Sequence, residues 1–195
     1  MTARIAVFCS GNGGNFEAVV NAIRRRKLKA EAAVMVCDNP SAFAIQRAHR
    51  HGIPTAVLSP KLFASRQAHE DLIIRILKSQ KVDCIVLAGY MRILTSRLLN
   101  AYPNRILNVH PSLLPKFKGA HAIRDAFQAH VAETGVSVHV VTQKLDAGPV
   151  LVQKKIKVLK SDTLESLEAK IHRIEHRLYP EAIQKFIGGK KWRKS

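Results

Sequence analysis

The chain has 195 residues, 47% hydrophobic and 24% charged, with 10 Gly and 8 Pro. That length holds one globular domain with a full core, and the composition excludes a disordered, collagen-like or coiled-coil chain. Lys and Arg number 32 against 14 Asp and Glu, a net +18 shared evenly between the two halves of the chain; such a surface attracts anions, from phosphorylated metabolites and polyglutamate tails to nucleic acid and acidic membranes, without choosing among them.

Met1–Arg4 leads straight into Ile5–Cys9, an apolar run of strand length and far too short for a secretory or membrane-spanning segment. Gly11–Asn15 reads as a loop and Phe16–Lys27 as a helix, with Phe16, Val19, Val20 and Ile23 on one face. Ala32–Cys37 is a second strand, stopped by Asp38-Asn39-Pro40. A helix over Ala42–His51, a short strand at Pro54–Leu58 and a helix over His69–Ser79 follow. Cys84–Ala88 is the most continuous apolar run, as expected of a central parallel strand covered on both faces. Short helices at Ser96–Tyr102 and Ala122–His130 flank a strand at Ile106–Val109. Val136–Val141 and Val150–Ile156 have no helix between them, which predicts an antiparallel pair at one edge. The last helix runs from about Leu164 to Ile187, with Ser161 or Asp162 as N-cap and Gly188-Gly189 beyond its end.

This alternation predicts an α/β fold: an open, mostly parallel twisted sheet, Rossmann-like, with helices on both faces and an antiparallel edge towards the C-terminus. One domain is expected over residues 1–189, with a basic tail at 190–195. Cys9, Cys37 and Cys84 form neither a disulfide framework nor a zinc set and read as buried thiols in a reducing compartment, so a soluble, cytoplasmic protein is expected. No His, Cys and carboxylate set has metal spacing, and no metal is expected.

In such folds ligands sit outside the carboxyl ends of the strands. Ser10-Gly11-Asn12-Gly13-Gly14-Asn15 lies there, between the first strand and first helix, where glycines admit a close ligand and the helix N-terminus favours a phosphate. Position 16 is Phe rather than the third Gly of a dinucleotide fingerprint, and no Gly-Lys-Ser/Thr follows, so a monophosphate fits better; a tight turn that binds nothing is the plain alternative. Asn108 and His110, two apart, leave the same face of a strand that Pro111 ends. A carboxamide beside an imidazole suits acyl transfer, one donating to a developing oxyanion and the other moving protons. Asp146, in Leu145-Asp146-Ala147-Gly148-Pro149, follows a later strand; paired with His110 it would hold the imidazole tautomer and favour the charged ring, but the spacing equally suits a turn aspartate. His49, His51, His69, His130, His172 and His176 are assigned to helix surfaces, and His139 to either the site or the core.

Asn108–Pro115, the following Lys116–His121, Thr134–His139 and Leu145–Pro149 together resemble the formyltransferase-fold family. The Gly loop and Ala88-Gly89-Tyr90-Met91-Arg92-Ile93-Leu94 are similar to its branch that acts on glycinamide ribonucleotide, over about Arg4–Phe186. The resemblance implies formyl transfer from 10-formyltetrahydrofolate to the amine of N1-(5-phosphoribosyl)glycinamide, in de novo purine synthesis. It implies that Asn108, His110 and Asp146 are catalytic, and that Gly13, Gly14, Asn15 and Glu175 bind the ribonucleotide. Arg66, Met91, Arg92, Ile93, Leu94 and Asn108 would bind the folate. The expected partners are therefore these two small molecules, with no membrane, and the protein a monomer or homodimer.

The chain departs from the family pattern where Gly14 stands for the usual Ser, predicting weaker phosphate binding, where Ile174 precedes Glu175, and in lacking a strand-like tail. Two related activities, formyltetrahydrofolate hydrolysis and methionyl-tRNA formylation, resemble longer chains with an additional domain. A nucleic-acid-binding module rests on the charge, on Arg24–Lys27 and on Lys190–Lys194 with Trp192; nucleic acid is not the expected partner, since aromatics are otherwise absent from the basic segments.

Overall fold

The computed structural model describes residues 2–189, and the basic tail at 190–195 lies outside them. The chain alternates β1 (Ala3–Cys9), α1 (Gly14–Arg24), β2 (Ala30–Cys37), α2 (Phe43–His51), β3 (Thr55–Val57), α3 (Arg66–Ser79) and β4 (Cys84–Leu87). It continues through α4 (Ser96–Ala101), β5 (Ile106–His110), α5 (Ala122–Gln128), β6 (Glu133–Val140), β7 (Val150–Lys157) and α6 (Leu164–Gly188). The strands form one sheet in the order β3-β2-β1-β4-β5-β6-β7. The first five are parallel and the last two antiparallel, the expected mixed architecture.

The period-2 geometry of a strand explains the continuous apolar runs. Ile5, Val7 and Cys9 of β1 pack among residues of α1, α2 and α6, while Ala6 and Phe8 pack on the opposite face with α3 and α4. Both faces of the central strands are covered, so neither parity tolerates a polar side chain until the carboxyl ends. All three cysteines are buried and free, and burial pushes their thiols up.

Local expectations at two helices are corrected. The N-cap of α6 is Thr163, not Ser161 or Asp162: Thr163 accepts from the Ser166 N–H while Ser166 Oγ accepts from the Thr163 N–H. Asp162 is otherwise engaged, by the Leu159 N–H at 2.8 Å and Lys170 Nζ at 2.5 Å. The helix also includes Gly188, leaving only Gly189 beyond it. His69 is buried rather than on a solvated face. The helix α3 starts three residues earlier than expected, capped by Ser65, and His69 turns inward to place Nε2 2.9 Å from the Leu58 carbonyl.

Helix α6 is fastened to the sheet by Tyr179, whose buried hydroxyl lies 2.8 Å from the Leu87 carbonyl and 3.1 Å from that of Leu107, at adjacent strands β4 and β5. Among the described residues no helix is long and apolar enough to cross a membrane. Tyr179→Phe keeps the ring and removes the donor, so unfolding free energy from urea denaturation is expected to fall by about 1–3 kcal/mol. An unchanged midpoint would show that the hydroxyl does not hold the helix.

Candidate active site

The sheet order changes direction between β1 and β4, so their carboxyl-end loops open a crevice. Ser10 stitches these loops together: its N–H donates to the Gly89 carbonyl at 3.1 Å, and its hydroxyl accepts from the Met91 N–H at 2.8 Å. Gly13 is the N-cap of α1 in the left-handed region, φ 77°. A Cβ there would lie 2.7 Å from Ala44 Cβ, so the position demands glycine on both conformational and steric grounds. The helix begins at Gly14, not Phe16, which puts Gly14 and Asn15 in its first turn, where backbone N–H groups have no intrahelical acceptor. Arg47 of α2 braces the loop, donating from Nε to the Asn12 carbonyl at 2.8 Å and pairing with Glu17.

Helix α6 meets this loop residue by residue. Asn15 Nδ2 donates to Glu175 Oε2 at 3.0 Å, while Asn15 Oδ1 is buried with no partner among the described residues. Glu175 is itself buried, one turn from Tyr179, and His172 Nδ1 lies 2.9 Å from the same carboxylate oxygen. That hydrogen bond pushes the His172 pKa up. His176 stands over Gly14. His172 and His176 are exposed on the surface of α6, as the sequence reading assigned them, and it is the docking of α6 that brings that surface to the loop.

The second cluster is built on the β5–β6 ladder. Antiparallel register sets Asn108 opposite His139 and His110 opposite Ser137, so all four side chains share one face. His110 Nδ1 lies 3.5 Å from Asp146 Oδ2, and His139 Nε2 lies 3.5 Å from Asp146 Oδ1 and 3.2 Å from Asn108 Nδ2. His110, His139 and Asp146 are all buried. The loop after β5 folds back over them: His110 Nε2 is 2.7 Å from the Phe117 carbonyl, and the Gly119 N–H donates to Asp146 Oδ2 at 2.9 Å. Both ring nitrogens of His110 therefore face oxygen acceptors. Ser137 anchors the base of this loop, donating to the Ser112 carbonyl at 2.6 Å and accepting from the Leu114 N–H at 3.0 Å.

Burial alone would raise the Asp146 carboxyl, but the His139 hydrogen bond, the Gly119 N–H and the charge of His110 outweigh it and hold its pKa below the ordinary value. Asp146 sits in the left-handed region at φ 46°, a conformation aspartate tolerates in turns. Spacing alone left open whether Asp146 and His110 meet; the fold brings them together. His139 is the residue whose place the sequence left undecided. Its signal was the spacing Ser137-Val138-His139, which needs the β5–β6 register to be read.

The third group lies after β4. Met91 and Ile93 are 68% and 59% exposed, an unusual use of large apolar side chains beside a crevice, whereas Leu94 is buried in the α3–α4 layer of the core. Arg66 donates to the Ile93 carbonyl, joining the start of α3 to this segment. Arg92 Nε donates to the buried Asp38 at 2.9 Å, a partner the sequence reading did not single out. Among the described residues no group of three or more His, Cys, Asp and Glu is disposed to hold a metal ion.

The family profile described as formyl transferase matches residues 3–183. The phosphoribosylglycinamide formyltransferase of Bacillus subtilis is 44% identical over 185 residues, covering 95% of each chain. That of Escherichia coli is 39% identical over 186 residues, covering 95% of this chain and 88% of its own. A crystal structure of glycinamide ribonucleotide transformylase 1 from Geobacillus kaustophilus superimposes with a TM-score of 0.93 at 46% identity, covering 95% of this chain and 99% of that one. The same loops, strands and helix that carry the two clusters lie within these matches, and the chain belongs to the formyl transferase family, on its phosphoribosylglycinamide formyltransferase branch.

Proposed function

We propose that the protein transfers the formyl group of 10-formyltetrahydrofolate to the glycyl amine of N1-(5-phosphoribosyl)glycinamide, a step of de novo purine synthesis. The observation that carries this reading is the placement of an anion cradle and a proton-handling cluster on one sheet edge, two strands apart. Phe8, Leu87 and Asn108 are level in the register of β1, β4 and β5. Two strand spacings make roughly 10 Å, a span suited to a ribose phosphate reaching from its phosphate to its amine.

In this reading the free N–H groups of Gly13–Asn15 and the positive end of α1 hold the phosphate. Glu175, oriented by Asn15 and His172, accepts from the ribose or amine. Arg66, Met91–Leu94 and Asn108 hold the folate: the exposed Met91 and Ile93 offer apolar contact, Arg66 a cation for the glutamyl carboxylates, and Leu94 packs beneath. As the amine attacks the formyl carbon, negative charge builds on the formyl oxygen. The Asn108 carboxamide and a His110 N–H donate to it, in a buried pocket where each donor counts for more than in water. For His110 Nε2 to do so, it exchanges the Phe117 carbonyl for the formyl oxygen. Asp146, kept ionised, balances the charged imidazole and guides the proton from the attacking amine towards the departing folate nitrogen.

Residues 1–189 would act as a single formyltransferase domain, monomeric or homodimeric, in the cytoplasm, where three free buried thiols are at home. The first test is formyl transfer followed by folate-product absorbance with and without the amine substrate. Product only with the amine supports the transferase; folate release without it would make the protein a hydrolase.

His110→Ala is expected to lower kcat by about 10²–10⁴, and Asn108→Ala by about 10²–10³. Near-full turnover in either variant would remove that residue from the chemistry. Asp146→Asn should reduce turnover and also change the pH dependence of stability. With the carboxyl pKa depressed in the folded state, the unfolded chain binds more protons between that value and about 3.9. The stability owed to ionised Asp146 is thus complete well above pH 4 and lost as pH falls through the folded value. Urea unfolding of wild type and variant should differ at pH 6, and the gap should narrow as pH falls below about 4; a gap independent of pH would mean that the charge is not what stabilises.

A further inference from the structure

Residues 88–95, which carry the exposed Met91 and Ile93, belong to no strand or helix: β4 ends at Leu87 and α4 begins at Ser96. A segment outside the ladders needs other partners for its backbone groups. Side chains supply them at alternate residues. Ser10 Oγ accepts from the Met91 N–H, Arg66 donates to the Ile93 carbonyl, and Glu70 Oε1 accepts from the Thr95 N–H at 2.9 Å. Glu70 Oε2 also accepts from the Thr95 hydroxyl, so one carboxylate engages both donors of one residue.

Glu70 is 3% exposed, and the proposed transfer makes no direct use of it. A buried carboxylate is costly unless its oxygens are engaged. Ile73 and Leu77, further along the same helix, lie in one apolar cluster with Leu94 and Leu98. A neutral side chain would suit that layer without the penalty. Arg66 and Glu70 are four apart on α3, so they leave one face of the helix, a turn from each other. Together they grip the chain on either side of Leu94, which is buried while Ile93 is exposed. We propose that Glu70 is a positioning residue for the folate: with Arg66 it forms a two-point splint that keeps Ile93 turned to the crevice and Leu94 to the core. The proposal rests on reading Met91–Leu94 as the folate wall and adds the residue beneath that sets its shape.

The helix that carries the splint is itself fixed at this end. Ser65 caps α3 by accepting from the Ala68 N–H at 3.0 Å, and His69 Nε2 lies 2.9 Å from the Leu58 carbonyl. The Thr95 hydroxyl, while donating to Glu70, accepts from the Arg97 N–H at 3.2 Å. The carboxylate therefore orients the cap of α4 together with the end of the wall. Without it the wall is freed at that end while Ser10 still holds the other, so the loss falls on folate contacts rather than on the glycine loop or His110.

The test is steady-state kinetics with each substrate varied at saturation of the other. Glu70→Leu removes both acceptors and suits the apolar layer. It is expected to raise the KM for 10-formyltetrahydrofolate about tenfold, with kcat and the KM for glycinamide ribonucleotide within about twofold. A merely structural role would change the unfolding midpoint and leave this split absent. Glu70→Gln can still serve both groups, its oxygen taking the N–H and its amide donating to the hydroxyl, and should keep the folate KM within about threefold of wild type. Thr95→Val drops the hydroxyl and should raise the folate KM about threefold, whereas Thr95→Ser keeps both donors and should restore it. Glu70→Leu combined with Thr95→Val should be no worse than Glu70→Leu, because the second change removes a bond already lost. An unchanged folate KM in Glu70→Leu, or both KM values rising together, overturns the proposal. Should Glu70→Leu not fold, equal folate KM values in Thr95→Val and Thr95→Ser overturn it instead. A wild-type folate KM in Met91→Ala combined with Ile93→Ala rejects the folate wall itself, whatever Glu70 does.

Discussion

A single buried hydroxyl sets the relation between the sheet and the helix that completes the site. Tyr179 reaches the carbonyls of Leu87 and Leu107, groups on two adjacent strands, and so fixes both the depth and the rotation of α6. Rotation matters because Glu175 lies one turn earlier on the same face, and only this setting brings its carboxylate to Asn15 and the neighbouring His176 to Gly14. A tyrosine without its partners in that position would leave a polar group in an apolar layer, so the contact is specific as well as favourable.

The two clusters use buried carboxylates differently, in a chain whose net charge is +18. Glu175 is saturated from one side by Asn15 and His172, which leaves it oriented. Asp146 is shared between two imidazoles and a backbone N–H, which keeps it charged despite burial. Neither arrangement draws on the general basic field, which attracts anions without choosing among them. Segments distant in sequence meet at Asp146: the end of β5 with the loop that follows it, and the turn between β6 and β7 that carries the aspartate itself. Such a site is stiff, since moving any one segment breaks a contact with a charged group.

Much of the architecture was legible because both periodicities were clean. Apolar runs without interruption meant strands covered on both faces, and the missing helix between Val136–Val141 and Val150–Ile156 meant the antiparallel edge. Helix starts were less legible: Asp162 and Thr163 are both good caps, and which one serves depends on where Lys170 and the Leu159 N–H draw the aspartate. His69 was misplaced for a similar reason, its burial being decided by a carbonyl eleven residues earlier at the exit of β3.

For the site, sequence alone determined what travels with local spacing: a glycine loop opening a helix, Asn108 and His110 on one face of a strand end, and Asp146 in a turn just beyond another strand. Those follow from strand and helix geometry, which act over a few residues. Tertiary structure decided everything that depends on which strands are neighbours and how they are registered. The register of β5 against β6 places His139 beside Asn108, the loop over β5 brings Gly119 to Asp146, and the docking of α6 turns His176 into the space above Gly14. These contacts join residues far apart in the chain, and a pattern confined to neighbouring positions carries no information about them until the core has packed.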